Sequence, residues 1–463
     1  MRQARGVLPH KQDKVIKNPD AQGVFAFATL RPDLDRAGAQ AWLAKVEALV
    51  QELRAARSAA GDRLATVAVG FGPSFFTTNG APRFDPPVRP PAGFEALPAM
   101  PSGTQTPGDV VFYIVAVSEA LTARFLHGLA QTPTDVIAIA LERGYQRLDG
   151  TEPFGYRDGV RNVSRHDRTE VVFVDRDRHA EETASWTHNG TYLAYLRVRQ
   201  DLDTFAALDS ETQDQVIGRA RDGRRLDLPA GADPHHEPEF TADIPSTGSH
   251  VRKAGPRGPV RDQTMIFRRG LPFYEFGPDG AMRVGLQFAS FQASLDQFNV
   301  VFNRWMMNPN FPQPAPGRAD DLFARNLVTV EKWGFFFVPP DTDEPIGAIM
   351  FRNEPAHRKP KTGRVAVRKK ILDANGNESL VDLAGFTFRV TDSTGQQVGT
   401  EFVTDSAGHA LSDELPVGQI YTLVEVPPAP PVQAAAPIQF TLDSARTVIR
   451  VSNNVPSGSI YNP

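Results

Sequence analysis

The sequence predicts an α+β protein built from two related halves, followed by an all-β sandwich. Up to about residue 340, apolar runs typical of buried strands alternate with runs that have helical spacing. The order of strands and helices in the first 150 residues returns in the next 190 or so. Beyond residue 363 only short alternating strands and turns remain, which is typical of a sandwich.

The first half contains strand and helix patterns in the order of a split βαβ unit. Predicted strands cover 23–31, 64–76 (with a turn) and 108–118, and predicted helices cover 37–57 and 121–131. This order predicts a ferredoxin-like fold.

The second half repeats these signals. Strands are predicted at 183–202, 264–274, 282–292 and 330–340, with the middle two paired, and helices at 210–221 (with Ser210 as N-cap) and 295–307. Two such sheets facing each other would leave a cavity between strands and helices, large enough for a planar cofactor.

Changes in composition and in secondary-structure pattern along the sequence also predict domain boundaries. We expect an N-terminal arm at 1–22, an α+β domain at 23–352 with halves at about 23–150 and 151–352, a basic, Pro-containing linker at 353–362, a β-sandwich at 363–455 and a tail at 456–463.

Composition excludes several classes of function. The 463 residues are 41% hydrophobic and 22% charged, which is ordinary for a globular protein. A net charge of −4 gives no argument for nucleic acid or an anionic membrane as partner. No apolar run is long enough to span a bilayer, and the first twenty residues show no secretory signal. Because cysteine is absent, disulfides, thiolate catalysis, iron–sulfur clusters and thiolate haem ligation are excluded.

Three polar stretches are candidates for a functional site. They are FGYRDGVRN with Asp158, GSHVRKAGPRG with His250, and MIFRRGLPF with Arg268 and Arg269. Taken singly, each has a simple structural explanation, since Asp-Gly is a common turn and the others fit loop or surface residues. His235 and His236 are interpreted as exposed loop residues, because no third metal ligand lies at a recognisable spacing.

Together and in this order, the three stretches resemble the dye-decolourising (DyP-type) haem peroxidases. The hallmark of that family is a Gly-x-x-Asp-Gly motif, here at 155–159, followed by an Asn, here Asn162. The resemblance implies one haem b per chain, enclosed by two ferredoxin-like halves in a barrel-like α+β fold. It implies His250 as the ligand below the iron, and Asp158, Asn162 and Arg268 above it, with Arg269 as the second choice for the arginine.

The sequence departs from the family pattern at two places. The family often places an acidic hydrogen-bond partner behind the iron-ligating His, and near that place this chain offers Asn326, with Asp320 and Asp321 a turn or two earlier. Some relatives carry an Asn two positions after the distal Arg, where this chain has Gly270.

The resemblance implies oxidation of phenolic or dye-type donors by hydrogen peroxide, in one-electron steps through an oxoferryl intermediate. Asp158 would move the peroxide proton, and Arg268 would stabilise the negative charge that develops. A carboxylate near an arginine keeps a low pKa, so activity is expected to be greatest at acidic pH. Trp186, Trp305, Trp333 and Tyr274 could relay electrons, but core packing explains each of them more simply.

The C-terminal region resembles the SpaA-like (prealbumin-like) Ig-like repeats of pilins and collagen adhesins. Its landmarks are AGFTF at 384–388, TDxxG at 404–408 and LPxGxxYxLxE at 415–425. Many such repeats form a Lys–Asn isopeptide bond assisted by a Glu, which implies Lys369, Asn453 and Glu425 here. Strand alternation places all three on inward faces. The alternative is a solvated Lys369 and no crosslink.

Two other functions remain open at this stage. One is a haem-binding or iron-release protein on the same fold, and the other is a surface structural or adhesive protein with a non-catalytic first domain. The sandwich could bind a surface or a partner protein, contribute to oligomer contacts or recruit substrate. The sequence leaves open the physiological donor, a homo-oligomeric state, and a cell-surface, extracellular or cytoplasmic location.

Overall fold

The computed structural model describes residues 22–132, 135–145, 150–163, 167–176, 179, 182–235, 244–255, 265–277, 279–312, 315–352, 362–372, 378–379, 383–405, 408–428, 432–442 and 446–454. The predicted N-terminal arm (except residue 22), nearly all of the linker, the tail and His236 lie outside these residues.

The first half is a ferredoxin-like unit. Its elements are β1 (Gln22–Leu30), α1 (Arg36–Ala55), β2 (Ala65–Phe71), α2 (Pro73–Phe76), β3 (Thr77–Thr78), β4 (Ala81–Pro82), β5 (Thr104–Gln105), β6 (Val110–Ala116), α3 (Glu119–Ala130) and β7 (Val136–Gly144). The strand order β2-β6-β1-β7 joins two split βαβ units. The sequence-based prediction omitted β7, which supplies one edge of this half.

The second half repeats the arrangement. It contains α4 (Arg168–Val172), β8 (Thr191–Gln200), α5 (Leu202–Ala206), α6 (Ser210–Ile217), α7 (His250–Ala254), β9 (Phe267–Arg268), β10 (Leu271–Phe276), β11 (Met282–Gln292), α8 (Leu295–Asn299), a π-helix (Val300–Met306), α9 (Asp321–Ala324) and β12 (Val328–Val338). The order β10-β11-β8-β12 matches that of the first half. Short 3₁₀ turns lie at Ala92–Glu95, Ser185–Thr187 and Ala348–Phe351.

The two halves join at both edges of their sheets. β12 pairs with β2 at Phe337 and Phe71, which makes one sheet of the two. At the other edge, the backbone N–H of Tyr145, directly after β7, donates to the carbonyl of Pro272 in β10 at 2.9 Å. The sheet therefore curls into a barrel. The predicted α+β fold of two ferredoxin-like halves is confirmed.

The barrel interior is packed and leaves the outer face for a cofactor. Phe25, Tyr113, Tyr195 and Phe291 belong to one fully or nearly fully buried cluster inside the barrel. The alternate residues of the same strands pack outward against the helices. Any planar hollow must therefore lie between the outer face of the sheet and the helices.

Two local predictions were wrong in detail. The predicted helix at 295–307 is α-helical only to Asn299 and continues as the π-helix. Such widened turns are frequent at functional sites. The N-cap of α6 is Asp209, whose Oδ1 accepts from the backbone N–H of Thr212 at 2.8 Å, so Ser210 is the first helical residue.

The C-terminal region is a two-sheet sandwich, as predicted. Its strands are β13 (Thr362–Leu372), β14 (Glu378–Ser379), β15 (Thr387–Thr391), β16 (Gln397–Val403), β17 (His409–Leu411), β18 (Leu415–Pro416), β19 (Gln419–Glu425), β20 (Ile438–Leu442) and β21 (Arg446–Asn454). β13 pairs with β14, β17, β18 and β21, and the second sheet has the order β16-β15-β19-β20. Within the described part of the chain, no helix is both long and apolar enough to cross a membrane.

Candidate active site

His250 is the first residue of α7, and one side of its ring is held by a buried acid. Its Nδ1 lies 2.8 Å from Oδ2 of Asp320, whose side chain is completely buried, while a third of the His250 side chain remains exposed. Burial lowers the pKa of His250, but the Asp320 carboxylate outweighs it, so the net shift is upward. Among the described residues, Nε2 has no hydrogen-bond partner.

Asp320 is itself fixed in place by the start of α9. Its Oδ1 caps this helix by accepting from the backbone N–H of Leu322 at 2.9 Å, and its own N–H donates to the carbonyl of Met306 at 2.7 Å. Of the three candidates in the sequence, Asp320 is therefore the acidic partner of His250. Asn326 instead follows α9 with a left-handed backbone, φ 57°, and Asp321 pairs with Arg318.

A buried lysine anchors the same helix from behind. Lys253 lies three residues after His250 and is completely buried. Its Nζ donates to the carbonyls of Asn308 at 2.5 Å and Arg318 at 2.9 Å. These bonds join α7 to the segment that leads into Asp320. Burial lowers the pKa of Lys253 to about 8, although Asp320 and Asp321 act in the opposite direction.

The loop that carries Asp158 is shaped by two glycines with left-handed backbone. Gly155 has φ 85° and Gly159 has φ 76°, conformations that few other residues adopt. The backbone N–H of Asp158 donates to the carbonyl of Gly150 at 2.9 Å, and Asp158 Oδ1 accepts from the N–H of Gly159 at 2.6 Å. Asp158 is thus both a turn residue and a half-buried carboxylate.

Side chains beneath this loop hold it against the helices. Glu152 accepts from the backbone N–H groups of Phe154 and Tyr156 at 3.0 and 3.1 Å, and burial raises its pKa. The Tyr156 hydroxyl donates to Asp214 in α6 at 2.5 Å, and Phe154 stacks on Phe205 in α5. None of these supporting contacts was predicted from the sequence, and those to Asp214 and Phe205 join distant segments.

Asn162 ties the loop to the strand that carries the arginine. Its Nδ2 donates to the carbonyl of Arg268 at 2.8 Å, and its Oδ1 accepts from the Arg268 backbone N–H at 3.1 Å. The Arg268 guanidinium in turn donates from Nη2 to the carbonyl of Arg161 at 2.5 Å. The segment that follows Asp158 is therefore hydrogen-bonded to Arg268 through Arg161 and Asn162.

The neighbouring Arg269 points elsewhere. It interacts with the Tyr113 hydroxyl group and lies over the ring of Phe267, both of which belong to the interior cluster of the barrel. Arg268 pairs instead with Ser290, on the outer face. The geometry favours Arg268 over Arg269 as the arginine of the site.

The three predicted site residues lie near one another. The charges of Arg268 and Asp158 both act on the pKa of His250, Arg268 lowering it and Asp158 raising it. Apolar side chains next to the site residues pack on the outer core without being fully buried, as expected of cavity walls: Ala254, Ile266, Phe288 and Phe323. An imidazole with its outer nitrogen unbonded, in apolar walls and with polar groups opposite, fits a haem.

The other side chains considered in the sequence analysis differ in their exposure. Trp186 and Trp305 are buried and Tyr274 is exposed. His235 is exposed and its Nδ1 lies 2.9 Å from the carbonyl of Val160. Within the described ranges, no group of three or more His, Cys, Asp or Glu side chains could hold a metal ion.

Fold and site together define a two-halved α+β barrel with a histidine and a buried acid on its outer side. Comparison with known proteins identifies the family. The Dyp-type peroxidase N-terminal and C-terminal family models match residues 12–145 and 151–343, and a prealbumin-like fold domain matches 365–455. The chain belongs to the DyP-type peroxidases, and it carries a prealbumin-like domain at its C-terminal end.

Individual relatives are distant. Deferrochelatases of Escherichia coli O157:H7 and Shigella sonnei are 25% identical over 210 residues, which is 41% of this chain and 48% of each relative. The chain thus spans about half the length of the curated relatives it matches. Among solved structures, an oxyferrous/water complex of DtpA from Streptomyces lividans has 22% identity and a TM-score of 0.62, covering 74% of this chain and 96% of that one.

A DyP-type peroxidase from Cellulomonas bogoriensis gives similar values. It has 23% identity and a TM-score of 0.60, and the match covers 74% of this chain and 96% of that one. At these identities the structures support the fold alone, so the residue roles rest on the geometry described above.

Proposed function

We propose that this peroxidase binds haem b and uses hydrogen peroxide to oxidise phenolic or dye-type donors in one-electron steps. The observation that carries the proposal is the pairing of His250 with buried Asp320. The charges of Asp158 and Arg268 both shift the pKa of the same imidazole. When bound, the haem iron supplies the redox chemistry that cleaves peroxide.

The residues of the chain would divide the remaining tasks. Nε2 of His250 would hold the iron, and Asp320 would accept from Nδ1–H, which fixes the tautomer and makes the ring a stronger electron donor. The Asp158 carboxylate would take a proton from peroxide and return it to the departing oxygen. The Arg268 guanidinium is always charged, and it would stabilise the negative charge that develops on the peroxide oxygens.

Asn162 would act by holding other residues of the site in place. Because its amide bonds both backbone groups of Arg268, it holds the Asp158 loop and the arginine strand at a constant separation. The expected acidic pH optimum remains a prediction.

The test is the reaction of the holoprotein with peroxide. We expect an absorption spectrum of histidine-ligated haem that changes on addition of peroxide, with dye oxidation following. Asp158→Asn and Arg268→Leu should each slow the peroxide step by about 10²-fold or more, with haem content unchanged. Arg283→Leu is the matched control, because Arg283 lies in an exposed pair with Asp279. Full activity of both site variants would refute these assignments.

The deferrochelatase name of the curated relatives favours a second candidate, the release of iron from haem. It would need the cavity and His250, but not Asp158 and Arg268 together. Incubation with haem under reducing conditions should then give fluorescent metal-free porphyrin, and Asp158→Asn should leave that yield unchanged. No porphyrin fluorescence would exclude this candidate. The family match does not favour the third possibility, a non-catalytic first domain.

We also propose that the sandwich forms a Lys369–Asn453 isopeptide bond. Lys369 Nζ lies 2.9 Å from Glu425 Oε1, and both side chains are 1% exposed or less. Glu425 Oε2 accepts from Asn453 Nδ2 at 2.8 Å. Lys369 and Asn453 come from adjacent parallel strands, β13 and β21, and Glu425 comes from β19 in the facing sheet.

The environment of these three side chains favours the reaction. Burial lowers the pKa of Lys369, although Glu425 opposes the shift, so a neutral amine becomes accessible. Lys369 Nζ would attack Asn453 Cγ, the bond from Cγ to Nδ2 would break, and ammonia would leave, with Glu425 moving the proton. No oxidant or reductant is needed.

Intact mass tests this bond directly. The wild-type chain should be lighter than calculated by one ammonia, and Lys369→Met or Glu425→Ala should restore the calculated mass for each variant. Lys370→Met is the matched control, because Lys370 is the next residue of β13 and is only partly buried. A wild-type chain of unshifted mass would end the proposal.

A further inference from the structure

The outer face of the second half brings a serine next to the site arginine. Ser290 in β11 lies directly opposite Arg268 in β9 and, on its other side, opposite Ala194 in β8. Residues directly opposite on antiparallel strands share a face, with Cβ atoms about 4.5–5.5 Å apart. Phe267 and Phe291, the next pair along, turn into the barrel interior, so Arg268 and Ser290 both turn outward.

Ser290 and Gln292 are completely buried, and their side chains have no hydrogen-bond partner among the described residues. Both have 0% exposure, and they share a face because they are two residues apart on β11. Ser290 Oγ, Gln292 Oε1 and Gln292 Nε2 have no hydrogen bond among the described residues. Leaving such atoms unpaired costs free energy comparable to a lost hydrogen bond, so buried polar atoms nearly always bind protein or ordered water.

The nearby Gln297, by contrast, has all of its side-chain polar atoms hydrogen-bonded. Its Nε2 donates to the carbonyls of Met265 and Val171 at 2.6 and 3.1 Å, and its Oε1 accepts from the N–H of Ser294 at 2.9 Å. Ser290 and Gln292 thus place three unpaired atoms together on one face of β11, beside Arg268. Such a cluster indicates a small polar occupant, and buried waters typically bind two to four polar groups of this kind.

We propose that Ser290 and Gln292 form a water-binding pocket that extends the peroxide site behind Arg268. Water held there by Ser290 Oγ and Gln292 would hydrogen-bond to the small ligand that Arg268 contacts, and would help move its proton. The ligands of this pocket are water and small protic molecules such as hydrogen peroxide and hydrogen fluoride. Ser290 is then a positioning residue that acts through water. This inference rests on the proposed haem peroxidase function.

A simpler explanation is that Ser290 is selected only for small size. Ala194 and Ser290, side by side on this face, would both leave room for a cofactor. The two explanations differ in what they require of the hydroxyl group, because alanine keeps the small volume and removes only the oxygen. Ser290→Ala is therefore the decisive variant, and Gln292→Leu removes the second polar group at similar volume.

The experiment measures fluoride binding to the ferric holoprotein, because bound fluoride reports on nearby hydrogen-bond donors. Ser290→Ala should weaken fluoride binding by about fivefold, the loss of one hydrogen bond, and slow the peroxide step by a similar factor with a changed pH profile. Gln292→Leu should act in the same direction. Thr106→Val is the matched control, since Thr106 Oγ1 is also buried without a partner in the described chain but lies beside Gly334.

The outcomes separate this inference from the proposed function. Unchanged fluoride affinity and pH profile in Ser290→Ala, with normal activity in the wild type, would overturn the water pocket and leave the peroxidase assignment intact. A wild type that binds no haem would overturn both. If a variant fails to fold, a crystal structure of the wild-type holoprotein decides: a water bonded to Ser290 Oγ is expected, and a dry contact would refute the pocket.

Discussion

Replacement of Asp320 tests the central contact of the proposed haem site. The carboxylate is completely buried and accepts two hydrogen bonds, from the Leu322 backbone N–H at 2.9 Å and at His250 Nδ1 at 2.8 Å. Asp320→Ala removes both acceptors. Asp320→Asn keeps the shape and one carbonyl oxygen but removes the negative charge.

The size of the effect follows from these two bonds. Loss of a helix N-cap costs about 0.5–2 kcal/mol. Loss of a hydrogen bond to a charged group costs about 1.5–3 kcal/mol. We therefore expect Asp320→Ala to lower the free energy of unfolding of the peroxidase domain by about 2–5 kcal/mol. Asp320→Asn should lower it by about half as much, because one acceptor remains.

Urea unfolding followed by tryptophan fluorescence measures this change. Asp321→Asn is the control, since Asp321 is equally buried but pairs with the partly exposed Arg318 and does not touch His250. In the holoprotein, Asp320→Asn should raise the iron reduction potential, because the ring loses electron-donating character, and Asp321→Asn should not. An Asp320→Ala variant as stable as the wild type would refute the structural argument.

Three further substitutions test the supporting contacts by urea unfolding. Lys253→Met leaves the Asn308 carbonyl without its donor and should cost about 1–3 kcal/mol; no loss would mean that water replaces the ammonium. Arg197→Met leaves buried Glu142 with Lys332 as a remaining cationic partner, 2.5 Å away, and should cost about 1.5–3 kcal/mol, the loss of a hydrogen bond to a charged group; no measurable cost would contradict the buried pairing. Burial raises the pKa of Glu152, so its stabilising contribution is complete below the ordinary glutamate pKa of 4.5 and is lost as pH rises through the raised pKa. The stability advantage of wild type over Glu152→Gln should therefore be larger at about pH 4 than at about pH 7, and the opposite trend would refute the shift.

The order of elements predicted the two halves, but the edge strand β7 was not predicted. The reason is visible in its side chains: Ile137 and Leu141 are exposed, while Glu142 turns inward to pair with Arg197. Such a strand lacks the apolar alternation that identifies buried strands. Its place is set by pairing with β1 and by the ion pair, and both are contacts between distant parts of the chain.

The site residues were predicted by motif order, and the supporting residues were not. Arg268 and Arg269 are equivalent in sequence, because consecutive strand residues face opposite sides and only the register decides which side is inward. Asp320, Asp321 and Asn326 were likewise open choices. The fold decides among them by packing the start of α9 against α7, which brings one carboxylate to the imidazole.

The two sides of the site are each held by a polar side chain that bonds backbone or ring across a long sequence separation. Asn162 joins the Asp158 loop to Arg268, 106 residues away, and Asp320 joins α9 to His250, 70 residues away. Both contacts are made by side chains of the chain itself, so they fix the imidazole on one side and the arginine strand on the other. Side chains supported in this way keep their polar groups directed at a ligand. The same rigidity explains why unpaired atoms at Ser290 and Gln292 are informative: strands paired on both sides cannot shift to satisfy them, and a small ligand can.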